Sequence, residues 1–224
     1  MGSKNKLKRF QDNDNFTNVI QPGREELLAE QFPYKGKWRA DFFKNELPLI
    51  VELGCGKGEY SVGLAQRFPE NNYVGVDIKG ARFWRGAKTA LEAELNNVAF
   101  VRTQIELIEH IFDKDEVDEI WITFPDPQIK PKREKHRLTN PIFLDRYKKI
   151  LKPDGFIHLK TDSEFMYGYT QGLLKGLGQE VVYEHPDIYR NYDLKGPLTE
   201  IQTFYEKKFL VENKPITYLK FKLN

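Results

Sequence analysis

Two carboxylates and three glycines occur at a spacing that could bind a nucleoside. The segment VELGCGKGEY holds Glu52 at the end of an apolar run and then Gly54, Gly56 and Gly58, while Asp77 ends the next apolar run. Glycines allow the backbone to turn sharply and approach a ligand closely. A carboxylate at the end of the second strand can accept hydrogen bonds from both hydroxyls of a ribose. The pattern therefore predicts a site for a nucleoside-containing cofactor.

The spacing of the glycines distinguishes between two classes of nucleoside cofactor. A dinucleotide site has the pattern G-x-G-x-x-G and binds a pyrophosphate at the helix N-terminus. Here the third glycine comes one residue early, and the charge of Glu52 would repel a pyrophosphate. A carboxylate at this position suits a cationic or amine-bearing ligand. The pattern E-x-G-x-G-x-G resembles the first motif of class I S-adenosylmethionine-dependent methyltransferases, which implies S-adenosylmethionine as the cofactor.

A third acid stands between two prolines, directly before a basic segment. In WITFPDPQIKPKREKHR, Asp126 lies between Pro125 and Pro127, and residues 130–137 carry six basic side chains against one acid, Glu134. The prolines stiffen the backbone and end the preceding strand. Because ligands bind at the carboxyl ends of the strands in such sheets, we expect Asp126 beside the cofactor. The basic run is predicted to neutralise the phosphates of a polyanionic substrate, and Arg82, Arg85 and Lys88 extend it.

The elements that must position these residues alternate in type along the chain. Apolar runs predict strands at 48–53, 73–77, 98–102, 118–124 and 156–161, and the segments between them predict helices at 59–67, 80–95, 104–112, 140–151 and 163–177. This alternation predicts an α/β fold with a doubly wound, mostly parallel, Rossmann-like sheet. The last stretch, TFYEKKFLVENKPITYLKFKL, is predicted to form an antiparallel hairpin that closes the sheet.

The first 46 residues are polar and irregular, unlike the rest of the chain. We predict that residues 1–46 form a basic arm and a capping extension, with residues 1–15 as a mobile tail, and that residues 47–224 form one domain. An alternative for the arm is contact with a polyanion.

Composition excludes several classes of protein. With 224 residues, of which 40% are apolar, the chain can bury a substantial core, and its net charge of +2 limits any nucleic-acid surface to local clusters. Cys55 is the one cysteine, so an internal disulfide is impossible and no Cys/His metal spacing exists. We interpret Cys55 as a small residue of the glycine turn, not as a nucleophile. With no apolar run long enough to span a bilayer, we expect a cytoplasmic protein without metal or membrane partners.

Four motifs, taken in order, resemble one known family. They are the glycine loop, FPDP with its basic run, NPIFLDRYKKILKPDGFIHLKTD and TFYEKKF. From about residue 47 onward, the chain is similar to the bacterial tRNA (guanine-N7-)-methyltransferases. The resemblance implies the class I methyltransferase fold, S-adenosylmethionine as methyl donor, tRNA as partner and guanine 46 of the tRNA variable loop as acceptor.

The resemblance also assigns roles to individual residues. It implies cofactor contacts at Glu52, the glycine loop, Asp77, Thr103 (or its neighbour Gln104) and Asp126. It implies substrate contacts at Lys130, Asp162, Thr203, Phe204, Tyr205 and Glu206. Asp126 is the predicted catalytic acid, with Asp162 as the alternative. The chain departs from the family after FPDP, where Gln128 and Ile129 replace a common aromatic residue, and at Thr103, where the family often has an acid.

Three alternative functions share part of this pattern. A methyltransferase for another nucleobase or an amine more often has Asn-Pro-Pro-Tyr or Asp-Pro-Pro-Tyr after the fourth strand. An aminopropyl transferase would leave the basic run unexplained. A non-catalytic RNA-binding module would need neither Glu52 nor Asp77.

Overall fold

A single mixed sheet forms the centre of the molecule, for which the computed structural model describes residues 3–191 and 194–224. Its strand order is β1-β4-β3-β2-β5-β6-β8-β7. The strands are β1 Val19–Ile20, β2 Leu49–Leu53, β3 Asn72–Val76, β4 Val98–Val101, β5 Val117–Thr123, β6 Leu151–Thr161, β7 Val181–His185 and β8 Thr217–Phe221. Strands β1 to β6 pair in parallel, and β8 pairs antiparallel with β6 and β7. The predicted fold class is therefore confirmed.

Helices cover both faces of this sheet. The α-helices of the described residues are α1 Ser3–Asn15, α2 Arg24–Leu28, α3 Glu59–Arg67, α4 Gly80–Glu92, α5 Pro141–Ile150, α6 Glu164–Gly176, α7 Pro197–Glu200 and α8 Phe204–Val211. A π-helix spans Trp38–Phe43, and 3₁₀ turns span Ile105–His110, Pro131–His136 and Ile188–Arg190. The predicted helix at 104–112 is thus a 3₁₀ turn, whose backbone is non-helical at Leu107.

The central strands are buried on both sides, as their continuous apolar sequences require. Alternate residues of β2 point to opposite faces: Leu49, Val51 and Leu53 join a core with α5 and α6, whereas Ile50 joins a core with α3 and α4. All parallel strands end at the same edge, which brings the residues that follow β2, β3, β4 and β5 close together.

The prediction of a mobile N-terminal tail was wrong for residues 3–15, and the first two residues of that prediction lie outside the described part of the chain. Residues 3–15 form α1, which packs against α4: Asn13 donates a hydrogen bond to the Gly80 carbonyl at 3.0 Å. Downstream, Val19 pairs with Phe100 in β4, and Trp38 is fully buried in the core. The local sequence is polar, so this docking depends on partners distant in sequence. The domain boundary at residue 47 stays a prediction.

The first half of the predicted C-terminal hairpin was also wrong. Phe204–Val211 is a helix, because Thr203 caps its N-terminus and Glu206 completes a capping box. The second half, β8, is a strand as predicted, but it pairs with β6 and β7 instead of with the segment before the turn. A capping box and an alternating strand pattern overlap in TFYEKKF, and burial of Glu206 favours the helix.

Candidate active site

The glycine loop joins β2 to α3 and brings α3 very close to α4. The φ angles of Gly56 and Gly58 are 57° and 73°, in the left-handed region that favours glycine. A Cβ atom on Gly58 would lie 2.5 Å from the Phe100 ring and 3.2 Å from the Cα atom of Gly86. Glycine is therefore required here both for the turn and for the close contact between helices.

Asp77 holds this loop against the end of β3. Its Oδ2 atom accepts a hydrogen bond from the Gly56 amide at 3.0 Å, and its Oδ1 atom accepts one from the Lys79 amide at 2.7 Å. The side chain is 9% exposed and faces a cleft. Each carboxylate oxygen has two lone pairs, so Asp77 retains capacity to accept hydrogen bonds from a ligand.

A cleft of about 270 Å³ opens at the carboxyl edge of the sheet. It is lined by Gly54, Asp77, Ile78, Thr103, Gln104, Ile105, Glu106, His136, Leu138 and Phe143. The structure thus brings together three predicted cofactor residues, Gly54, Asp77 and Thr103, with the end of the basic run. The Asp77 carboxylate and the apolar side chains of the cleft fit the ribose and base of a nucleoside, and Glu106 supplies a second carboxylate to the lining. Four other clefts among the described residues are larger, at about 460 to 960 Å³, but none of them is lined by Gly54, Asp77 or Thr103.

Glu52 lies beneath the glycine loop and does not line the cleft. It accepts hydrogen bonds from the Ser61 amide at 2.9 Å, from the Ser61 hydroxyl and from the Thr123 hydroxyl at 2.6 Å. Burial raises the pKa of Glu52 from 4.5 to about 7, although these hydrogen bonds oppose the shift. The carboxyl group therefore ties β2 to α3 and β5, and its predicted contact with a cofactor remains a prediction.

Asp126 is exposed in the loop after β5. Its carboxylate accepts a hydrogen bond from the Gln128 amide at 3.0 Å. Within the same loop, the Phe124 amide donates to the Lys160 carbonyl at 2.8 Å, and both Phe124 and Gln128 have positive φ angles. The predicted acid is thus presented to solvent at the correct edge of the sheet, on a backbone that β6 holds in place.

The basic run contains the 3₁₀ turn Pro131–His136, and its five basic side chains from Lys130 to His136 are exposed. Arg137 is different, because it is 5% exposed and its guanidinium lies 4.8 and 4.5 Å from the ring centres of Phe165 and Tyr169 in α6. The prediction that Arg137 belongs to a polyanion-binding surface was therefore wrong. Arg137 anchors the turn to α6, and the other basic side chains face solvent.

The segment Thr203–Glu206 reaches the glycine loop. The Phe204 amide donates to a carboxylate oxygen of Glu59 at 2.8 Å, and the ammonium group of Lys57 lies 3.5 Å from the centre of the Phe204 ring. Phe204 and Tyr205 are 51% and 44% exposed, whereas Thr203 and Glu206 are buried. Any direct substrate contact by this motif therefore rests on the two aromatic rings.

Glu206 is fully buried in an ion pair with Lys160, at 2.6 Å. The Tyr189 hydroxyl donates to the same carboxylate at 2.8 Å, and Lys160 also donates to the Ile201 carbonyl at 3.4 Å. Burial lowers the pKa of Lys160, and Glu206 opposes that change. Sequence reasoning missed Lys160, whose signal is a charged residue at the end of the apolar strand β6. The ion pair fixes α8, with its exposed rings, to the end of β6.

Asp162 follows β6 at the same edge and is half-buried. Burial raises the pKa of Asp162, and the nearby charge of Lys214 opposes the shift. Asp162 is thus close enough to the carboxyl edge to remain the alternative acid, although it does not line the cleft.

Within residues 3–191 and 194–224, no helix is long and apolar enough to cross a bilayer. The same residues contain no group of three or more His, Cys, Asp or Glu side chains suited to a metal ion.

We predict that Glu52 makes the protein less stable as the pH rises from 4.5 to 7. A raised pKa means that the folded state binds the proton more tightly than the unfolded state does. Protonation of Glu52 therefore stabilises the fold fully below pH 4.5, and this stabilisation is lost as the pH rises through about 7. Glu52→Gln should remove about 3 kcal/mol of this pH dependence. Urea unfolding of both proteins at pH 5 and 8 measures it, and parallel pH profiles for the two would contradict the assignment.

We predict that Lys160→Met lowers the free energy of unfolding by about 3 to 5 kcal/mol, because it leaves the Glu206 charge buried without its cation. The double variant Lys160→Met/Glu206→Gln should recover much of this loss, since glutamine still accepts from Tyr189 without a charge. Urea unfolding tests both. A loss below about 1 kcal/mol for Lys160→Met would show that Glu206 is readily solvated.

Comparison with known proteins agrees with the observed fold. Residues 46–219 match a family model described as a putative methyltransferase. Two solved structures, an antibiotic-related methyltransferase (TM-score 0.59, 16% identity, covering 93% of this chain and 98% of that one) and a 16S rRNA methyltransferase (TM-score 0.60, 12% identity, 79% and 88%), share the fold.

Two curated relatives are similar over nearly their whole length. Both are named tRNA (guanine-N(7)-)-methyltransferase. The protein of Christiangramia forsetii is 65% identical and covers 100% of both chains, and that of Bacteroides thetaiotaomicron is 46% identical over 98% of this chain and 86% of the relative. Because such similarity extends over the whole chain, and the ordered motifs indicated the same family, the protein belongs to the tRNA (guanine-N(7)-)-methyltransferase family.

Proposed function

We propose that the protein transfers a methyl group from S-adenosylmethionine to N7 of guanine 46 in the variable loop of tRNA. The observation that carries this proposal is the shared cleft: Asp77, which suits a ribose, and His136, the last residue of the basic turn, line the same cavity. A nucleoside site and a phosphate-binding surface thus meet at one edge of the sheet. Membership of the family supports the choice of tRNA and of guanine N7.

The residues of the cleft fit the proposed methyl donor. Asp77 can accept hydrogen bonds from the ribose hydroxyls, and the apolar side chains of Ile78, Ile105 and Phe143 can pack against adenine. Glu52 supports the loop from below. When bound, S-adenosylmethionine supplies an electrophilic methyl group on a sulfonium centre.

The acceptor atom requires positioning more than activation. Guanine N7 carries an unprotonated lone pair at neutral pH, so no strong base is needed, and correct orientation of the reactants removes much of the entropic barrier. Phe204 and Tyr205 expose rings beside the glycine loop on which an unpaired base can stack. The carboxylate of Asp126 can stabilise the positive charge that develops on the purine. The exposed basic turn can bind the phosphates.

The proposal predicts a defined product. Incubation of the protein with unmodified tRNA and methyl-labelled S-adenosylmethionine should place the label in 7-methylguanosine at position 46, as nucleoside mapping by mass spectrometry would show. Transcripts with adenosine at position 46 should remain unlabelled. Donor binding without methylation would favour a non-catalytic RNA-binding module, and a different methylated nucleoside would favour another methyltransferase.

Asp126→Asn tests the proposed role of this charge. The side chain keeps its shape and can still accept from the Gln128 amide, so folding and tRNA affinity should change little. Single-turnover methylation should fall by roughly 10² to 10³, the loss typical of one preorganised electrostatic group. Rapid-quench measurements at saturating donor and tRNA provide the rate. A rate within a few-fold of the parent would move the catalytic role to Asp162 or to positioning alone.

A further inference from the structure

A second basic surface lies on α1 and the start of α4. Five cations form it, and we refer to them as the α1–α4 surface: Lys6, Lys8, Lys79, Arg82 and Arg85. All five are exposed. The whole chain has a net charge of only +2, so this surface is a local concentration of positive charge.

Acids of the described residues do not neutralise the charges of this surface. Among the described residues, none of the five forms an ion pair with an acid. The two acids of α1 have other partners: Asp12 accepts a hydrogen bond from the Trp84 indole at 2.9 Å, and Asp14 accepts one from Gln21 at 2.6 Å. An unpaired set of cations on an otherwise balanced chain points to an anionic partner.

The surface is also held in a fixed arrangement. The Trp84 ring of α4 lies between two cations, with the Arg9 guanidinium 4.8 Å and the Lys88 ammonium group 5.5 Å from its centre. Arg102 stacks on Phe10 of α1 at 4.7 Å. The Arg9–Trp84 contact joins α1 to α4 and so fixes the two helices that carry the cations relative to each other, which reduces the conformational entropy cost of binding.

The position of the surface relates it to the cofactor cleft. Asp77 and Ile78 form one wall of the cleft and directly precede Lys79 and α4. His136, at the end of the basic turn, lines the cleft from the other side. The α1–α4 surface and the basic turn therefore flank the cleft, so an anion that reaches across it would meet cations on both sides.

We propose that the α1–α4 surface is a second tRNA-binding surface, which contacts backbone phosphates on the opposite side of the cleft from Lys130–His136. This inference rests on the proposed function for the identity of the RNA. An extended polyanion fits better than a small anion, because the cations are spread over two helices and do not converge on one point. A membrane surface fits less well, since Leu7 is the one large apolar side chain exposed on α1 among the described residues.

The test compares charge-neutralised variants by the salt dependence of tRNA binding. Lys6→Gln/Lys8→Gln, Arg82→Gln/Arg85→Gln and the combined quadruple variant remove charge at exposed positions only. A control, Lys37→Gln/Lys44→Gln/Lys175→Gln, removes exposed cations that have no ion pair among the described residues and that neither line the cleft nor lie on α1 or α4. Binding of unmodified tRNA is measured by fluorescence anisotropy from 50 to about 300 mM salt, together with S-adenosylmethionine affinity by calorimetry.

Each double variant should weaken tRNA binding and reduce the slope of log K against log salt by about 0.7 to 0.9 for each phosphate that the variant no longer neutralises. In the quadruple variant, the slope should fall by the sum of the two reductions. The slope of the control variant and the S-adenosylmethionine affinity of all variants should equal those of the parent. An unchanged slope in either double variant would overturn the inference, as would an equal reduction in the control. Loss of binding to phosphatidylserine vesicles with tRNA binding intact would also overturn it.

These measurements separate the inference from the proposed function. If the parent methylates guanine 46 and the salt slopes of the variants equal that of the parent, the inference of a second tRNA-binding surface is refuted and the proposed function stands. If the slopes fall but the parent does not methylate tRNA, the surface stands as an RNA-binding site and the proposed function fails.

Discussion

The buried carboxyl group of Glu52 joins the three segments on which the candidate site depends. It accepts hydrogen bonds from α3 through Ser61 and from the end of β5 through Thr123, and it lies in β2 just before the glycine loop. A polar group in the core is costly unless its hydrogen bonds are satisfied, and here they are. Glu52 therefore fixes the position of the glycine loop relative to the end of β5, which precedes Asp126. The role of Glu52 that the structure shows is thus a structural one.

The proposed substrate and donor surfaces are built from different kinds of side chain. The cleft combines two carboxylates, Asp77 and Glu106, with apolar walls at the ends of β3 and β4. Around it stand exposed cations and the rings of Phe204 and Tyr205, each fixed by a buried partner nearby. Lys160 and Glu206 hold the rings, and Arg137 holds the basic turn. The exposed groups that we propose to bind tRNA are thus held in place by buried charged residues that would not contact the RNA, which is a form of preorganisation.

The N-terminal segment illustrates how tertiary contacts change the meaning of a sequence. By composition, residues 3–15 are as polar as a disordered arm, and an isolated helix of that length is marginal in water. Trp84 and Gly80 supply the contacts that stabilise it. Once docked, its lysines join the cations of α4 on one surface.

The sequence by itself determined the fold class, the glycine loop with Asp77, the place of Asp126 after a strand end and the family, because these depend on local periodicity, on glycine and proline stereochemistry and on motif order. Only the tertiary structure decided that TFYE begins a helix, that Glu52 and Glu206 are buried, that Arg137 is an anchor and that α1 is ordered. The physical reason is that burial and pairing depend on residues distant in the chain: the capping box competes with a strand pattern, and Lys160 lies far from Glu206 until the sheet brings them together. A local sequence pattern specifies the chemistry available to a residue, whereas the fold determines which other residues it contacts.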